Sequence, residues 1–202
     1  MSSRLAPLPN LRYSRHFIPA HAGFPNTSLS PYPLLIYHRC FSDSTSTSEI
    51  QTHLRSIGVV EPAWVYPMYQ QHHYHSTTHE VLVVANGSAK LFFGGEGNPK
   101  GLRQVVTKGD VMILPAGTAH AMLEDLGGFS MVGSYPTGAH NWDHCTGNEG
   151  KEAEDRIRAL EWFKRDPIYG QEGPVLRLMP QRKLVAWKSE NLGCLNSARV
   201  HL

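Results

Sequence analysis

The residues best equipped for chemistry lie close together. His72, His73, His75 and His79 fall within eight positions, and Glu80 follows at once. Side chains two apart on a strand share a face, so His73 and His75 point the same way and make a ready pair of ligands. The four residues Ser76 to His79 form a tight connection, after which Glu80 opens the next strand and can turn its carboxylate toward the same point. A second segment, Gly109 to His120, runs from a glycine turn through a strand to a Pro115-Ala116-Gly117 turn, which delivers a further histidine. Imidazoles and a carboxylate brought together in this way suit a divalent metal. The competing reading is a His-rich surface hairpin, or histidines satisfied within a core.

Parity places the neighbours. His72 is expected to face outward, and His79 to be a loop group beside the site, with His79 in place of Glu80 as the alternative ligand. Tyr69 and Gln71 share the face of His73 and His75, Leu82 and Val84 that of Glu80, and Met122 that of His120. Ser130, Val132 and Ser134 join them only if the even positions of the last strand face inward. His140, Asp143 and His144 follow that strand and could hang over the cavity, where a histidine shuttles protons near neutral pH. A solvated loop or a helix-capping cluster is the alternative.

These side chains need strands to hold them. From Ala63 to Tyr135 short strand-like runs alternate with turn signals such as Asn86-Gly87, Lys108-Gly109-Asp110 and Gly127-Gly128, the texture of a sandwich or barrel. Residues 1–33 are Pro-rich and read as an extended arm, with a first strand at 33–37. Ser48 and Gln51 form a capping-box pattern that predicts a helix over 49–57. Ala153, Ile157, Leu160 and Phe163 share one face of a helix predicted over 150–163. Val175 to Leu178 and Leu184 to Trp187 are strand-like segments in the tail. One domain is expected, with an arm, strand and helix at 1–62, the core at 63–136, and a helix and C-terminal extension at 137–202.

The chain has 202 residues, long enough for one domain with a real core. Nineteen Lys and Arg against 17 Asp and Glu leave a formal charge of +2, which offers no case for a nucleic-acid or membrane partner and favours a small-molecule substrate. Cys40, Cys145 and Cys194 show no CxxC pattern, so a reducing, cytoplasmic setting is expected. No apolar run approaches a membrane span. Arg4, Arg12, Arg15 and Arg39 precede the first acid, Asp43, as in a transit peptide, but the arm's prolines would break its amphipathic helix.

The two histidine segments resemble the paired motifs of the cupin superfamily: His-x-His, four residues, Glu, six residues, Gly; then Gly, five residues, Pro-x-Gly, two residues, His. The resemblance implies an all-β core folded as a double-stranded β-helix, or jelly-roll cupin barrel, with a few short helices. It carries His73, His75, Glu80 and His120 over as ligands of iron, manganese, zinc, nickel or cobalt. Pro67 stands where the pattern often has glycine, and Glu124 where it often has asparagine; neither is a ligand. Further segments at 33–37, 66–80, 133–136 and 166–170 resemble the YjlB-type single-domain cupins of bacteria and fungi, over about 17–178.

Three functions are compatible with this set. In the first, the metal acts as a Lewis acid on a small oxygenated metabolite, polyketide-like by analogy, in an isomerisation, dehydration or cyclisation, with Tyr69, Glu124, His140 or His144 moving protons. The second is an iron-dependent dioxygenase, and the third a ligand-binding protein without catalysis. Gln71, Leu82, Val84 and Met122 are the expected substrate contacts. A homodimer formed through the arm is expected.

Overall fold

A computed structural model of the chain describes residues 4–139 and 141–178. Strands β1 (Arg12–His16) and β2 (Leu34–His38) precede helix α1 (Thr47–Ile57). Strands β3 (Val60–Tyr66), β4 (Glu80–Asn86), β5 (Ser88–Phe93), β6 (Leu102–Thr107), β7 (Val111–Leu114), β8 (His120–Asp125) and β9 (Ser130–Pro136) follow, and then helix α2 (Gly150–Ala159). They form two antiparallel sheets, ordered β1-β2-β7-β4-β9-β3 and β6-β5-β8. Among the described residues no helix is long and apolar enough to cross a membrane.

The central strands read as unbroken apolar runs because both of their faces are covered. Leu34, Ile36, Leu82, Val84, Met112 and Leu114 pack against Leu91 and Phe93 of the smaller sheet. On the other face, Leu35, Val81, Val83, Val111 and Ile113 pack with Ile50 and Leu54 of α1 and with Trp162, Phe163 and Ile168. Burying each such side chain contributes about 1.5–3 kcal/mol, which makes this double layer the rigid base of the site.

The expected jelly-roll barrel is not formed: the two sheets face one another but do not close into a β-barrel. Closure needs a continuous ladder along every edge. Here residues 67–79, which would run beside β8, lie outside the strands, and Pro67 has no N–H to give. Among the described residues, only the His73–His120 bridge and the Met122 N–H to Tyr69 carbonyl bond cross that gap. The irregular segment aims the metal-type side chains inward at the cost of the ladder.

Local elements differ from expectation in instructive ways. The capping box of α1 is Ser46 with Glu49, where Ser46 Oγ accepts from the Glu49 N–H and the Glu49 carboxylate accepts from the Ser46 N–H at 2.9 Å. A carboxylate in the first turn complements the helix dipole, as the neutral Gln51 of the expected box does not. Helix α2 stops at Ala159, where Leu160 turns extended so that Trp162 and Phe163 enter the core. Pro174–Leu178 is a 3-10 helix rather than a strand, and the segment Leu184 to Trp187 lies outside the described residues. Buried Asp166 ties this end down, accepting from the Tyr37 hydroxyl at 2.6 Å and the Ile168 N–H at 2.9 Å.

Candidate metal centre

His73 and His75 are positioned by single backbone bridges instead of a strand. The His120 N–H donates to the His73 carbonyl at 2.9 Å, Tyr74 and Cys145 exchange N–H bonds at 2.9 Å each, and the Gly117 N–H donates to the His75 carbonyl at 2.9 Å. Alternation survives this irregularity. His73 and His75 face the same interior, while His72 turns away to ring contacts with Phe24 and Phe92.

One ring nitrogen from each of His73, His75 and His120 lies within 4.8 Å of the others, and all three side chains are buried. The opposite nitrogen of each is committed. Nδ1–H of His73 donates to the Gln71 carbonyl at 3.0 Å, that of His120 to the Thr118 carbonyl at 3.0 Å, and that of His75 to the Asp143 carbonyl. A carbonyl only accepts, so in each neutral ring these bonds fix the tautomer and set the Nε2 lone pair inward, as metal-ligating histidines require. The three imidazoles thus form a buried cluster able to hold a divalent metal.

Glu80, at the head of β4, brings its carboxylate beside the His75 and His120 rings. Oε1 lies 3.5 Å from His75 Nε2 and Oε2 lies 3.4 Å from His120 Nε2. Those separations exceed the roughly 2.7–2.9 Å of a charge-assisted hydrogen bond. They are of the order found between two donors that share one ion, and the ring nitrogens of His73, His75 and His120 lie within 4.8 Å of one another. Among the described residues Oε2 is buried with no hydrogen-bond partner, which is costly unless a cation satisfies it. The residues present therefore fit a divalent ion.

The electrostatics follow from burial and this carboxylate. Burial pushes the Glu80 carboxyl up, but His75, His120 and the Tyr135 hydroxyl outweigh it and hold its pKa at about 2. Burial, with His120 adding to it, lowers His73 to about 3. Burial pulls His75 down as well, yet the adjacent Glu80 more than offsets this and leaves it raised.

Tyr135 and Trp64 complete the inner wall and are not recognised from sequence. The Trp64 Nε1–H donates to the Tyr135 hydroxyl at 3.1 Å, and that hydroxyl donates to Glu80 Oε1 at 3.0 Å. The odd positions of β9, not the even ones, face the cavity. Met131 and Tyr135 line it, whereas Val132 packs on the opposite face. Gly133 lies between them, and a Cβ there would overlap the Trp64 indole, so glycine makes room for that ring. Both parities of β9 carry apolar residues, which is why alternation alone does not choose.

Asp143 closes the site from behind. Its carboxylate accepts from the Ser76 N–H at 2.7 Å, the Ser76 hydroxyl, and the Thr77 N–H at 3.3 Å, fastening the loop after β9 to the segment that bears His75. His144 follows and stacks on His73 at 4.5 Å between centroids. Tyr69 meets both rings edge-on.

The cavity over these groups has a volume of about 650 Å³, and Tyr69, Gln71, Leu82 and His144 line it. Val84 and Met122 do not; Val84 is sealed between the sheets and Met122 packs against that core. Glu124 is exposed on β8 and paired with Lys90 at 2.6 Å, away from the cavity, because it lies beyond the bulge opposite Lys90 and Leu91. His140 lies outside the described residues. His79 also leaves the site. Its Nδ1 accepts from the Ala116 N–H at 2.9 Å and its Nε2–H donates to the Glu161 carbonyl at 3.2 Å, with the ring against Trp162 and Phe163.

Residues 69–127 match the model of the cupin family, described as "Cupin". The chain is 33% identical to the uncharacterized protein YjlB of Bacillus subtilis (strain 168) over 165 residues, which cover 81% of this chain and 94% of YjlB. Among solved structures, the 11S globulin procruciferin of Brassica napus aligns at TM-score 0.32 with 11% identity, over 55% of this chain and 22% of the globulin. An oxalate decarboxylase aligns at TM-score 0.31 with 16% identity, over 56% of this chain and 23% of the enzyme. The chain thus spans less than a quarter of either structure's length. With the histidine motifs in one buried cluster and the match to YjlB running almost end to end, the chain belongs to the YjlB-type cupins.

Proposed function

We propose that the protein is a metal-dependent enzyme that acts on a small oxygenated metabolite, with His73, His75, Glu80 and His120 holding one divalent metal. The observation that carries the reading is the Glu80 Oε2 atom, buried without a hydrogen-bond partner among the described residues, in a site with three imidazoles whose Nδ1 atoms are all committed. When bound, such a metal supplies Lewis-acid polarisation of a substrate carbonyl or hydroxyl, as isomerisation, dehydration and cyclisation need.

The remaining roles fall to the protein's own side chains. Tyr135 is oriented by the Trp64 N–H so that its proton points at Glu80 Oε1, which fixes that carboxylate in place. The His144 imidazole faces the cavity over His73 and is the proton carrier closest in chemistry to what these reactions require. Tyr69 and Gln71 offer a hydroxyl and an amide to orient a polar substrate. Leu82 and Met131 exclude water from one side.

Elemental analysis of the purified protein, of His73→Ala and of Glu80→Ala tests the metal. A single equivalent of divalent ion in the wild type, lost in both variants, is expected; full metal retention by the variants refutes the ligand set. A dioxygen-uptake assay tests the chemistry. Substrate-dependent uptake by iron-loaded protein refutes the non-redox reading.

A further inference from the structure

Large aromatic surfaces are exposed around the cavity rim: Tyr66 and Tyr69 are each 66% exposed and Trp142 is 47% exposed. Aromatic rings left in water at one place mark a binding surface. Two of them, Tyr66 and Trp142, are the outer halves of ordered pairs. Trp142 stacks on Tyr135 at 4.6 Å and 10°, and Tyr66 lies over Trp64 at 6.4 Å and 30°. The inner ring of one pair, Tyr135, is bonded to Glu80, and that of the other, Trp64, is bonded to Tyr135, so flat π-surface runs from the Glu80 carboxylate toward solvent. The Trp64–Tyr135 hydrogen bond, together with the space at Gly133, holds the inner rings in register.

Charge narrows the choice. Among the described residues neither Lys nor Arg lines this cavity. A phosphate, a sulfate, a coenzyme A tail or a second carboxylate would enter with no Lys or Arg to meet it, whereas sites for such groups are built with those residues. Three neutral imidazoles and Glu80 around a divalent ion sum to one net positive charge, which one anionic oxygen neutralises.

We propose that the cavity selects a planar aromatic ligand with a single ionisable phenol or enol next to a carbonyl, and no further anionic group. The inference rests on the metal-dependent function above for the oxygen-binding end of the ligand. Its aromatic end rests on the rings alone. Tyr66, Tyr135 and Trp142 supply the stacking surface, and Gln70 and Gln71 the uncharged polar contacts.

The test uses full-length protein loaded with zinc and the quenching of its tryptophan fluorescence. Three probes are compared: 2-hydroxyacetophenone, acetylacetone with a similar donor pair but no ring, and oxalate with two charges. The aromatic probe is expected to bind about tenfold more tightly than either other probe, the range that ring stacking and burial provide. Trp142→Ala and Tyr66→Ala, both at exposed rim positions, are expected to bring the aromatic preference down to about threefold or less while zinc content and circular dichroism stay unchanged. Equal binding of acetylacetone or oxalate, or a preference that survives both substitutions, overturns the proposal. The same ranking is measured on metal-free protein by calorimetry. Failure to bind zinc defeats the metal reading alone, because the preference for the ring is then judged on the metal-free series.

Discussion

Acidification should weaken the fold through His79, a residue that sits between the two metal-motif histidines and Glu80 but takes no part in the site. Its ring is buried against Trp162 and Phe163, accepts from the Ala116 N–H and donates to the Glu161 carbonyl. Protonation would set a new N–H against the Ala116 N–H. Burial, only partly offset by the Glu161 carbonyl, lowers its pKa from 6.5 to about 4. The unfolded chain therefore binds a proton as pH falls through 6.5, and the folded chain does not until about 4. Stability from this group is intact above pH 6.5, falls through that window, and is lost by about 3 kcal/mol at its lower end, with about 2 kcal/mol gone near pH 5. Urea denaturation of the wild type and of His79→Gln, with chelator present, isolates the effect. Glutamine can satisfy both Ala116 and Glu161 but does not titrate. The stability gap between the two proteins should narrow by about 2 kcal/mol between pH 7.5 and pH 5. Parallel losses in the two proteins would refute the argument.

Metal affinity should depend on pH for a separate reason. His73 stays neutral down to about 3, while Glu80 raises His75, so an incoming metal displaces a proton from the His75–Glu80 pair. Zinc affinity should fall about tenfold per pH unit below the His75 pKa and level off above it, with proton release in calorimetry across buffers of different ionisation enthalpy. A flat profile contradicts this. Gly133→Ala should push the Trp64 indole from the wall, break its bond to Tyr135, shift tryptophan emission to longer wavelength and cost about 1–3 kcal/mol in a melt; unchanged emission contradicts it. Asp166→Ala should cost about 3 kcal/mol or more in urea denaturation, because the Ile168 and Tyr169 N–H groups and the Tyr37 hydroxyl lose their acceptor. A loss under about 1 kcal/mol would mean that water replaces the carboxylate.

Much of the site is written in local sequence. The placement of His73 and His75 on one face needs only alternation, and the turns at Gly87, Gly109 and Gly117 need residues that tolerate positive φ. The doubly buried strands are likewise visible as runs without polar residues. These features depend on near neighbours in the chain, and near neighbours are what a sequence displays.

What tertiary structure alone decided are the contacts between distant segments. Which face of β9 meets the cavity depends on its pairing with β3 and β4, which sets Trp64 across from Gly133 and turns Tyr135 toward Glu80. His79 and Glu80 are adjacent and chemically similar as ligands, yet the Ala116 N–H and the Glu161 carbonyl claim one while the histidine cluster claims the other. The open edges of the sheets, in place of a closed barrel, follow from irregular backbone at 67–79 that no residue type announces except Pro67. Local propensity fixes which way a side chain can point; only packing between segments far apart in sequence decides what it meets there.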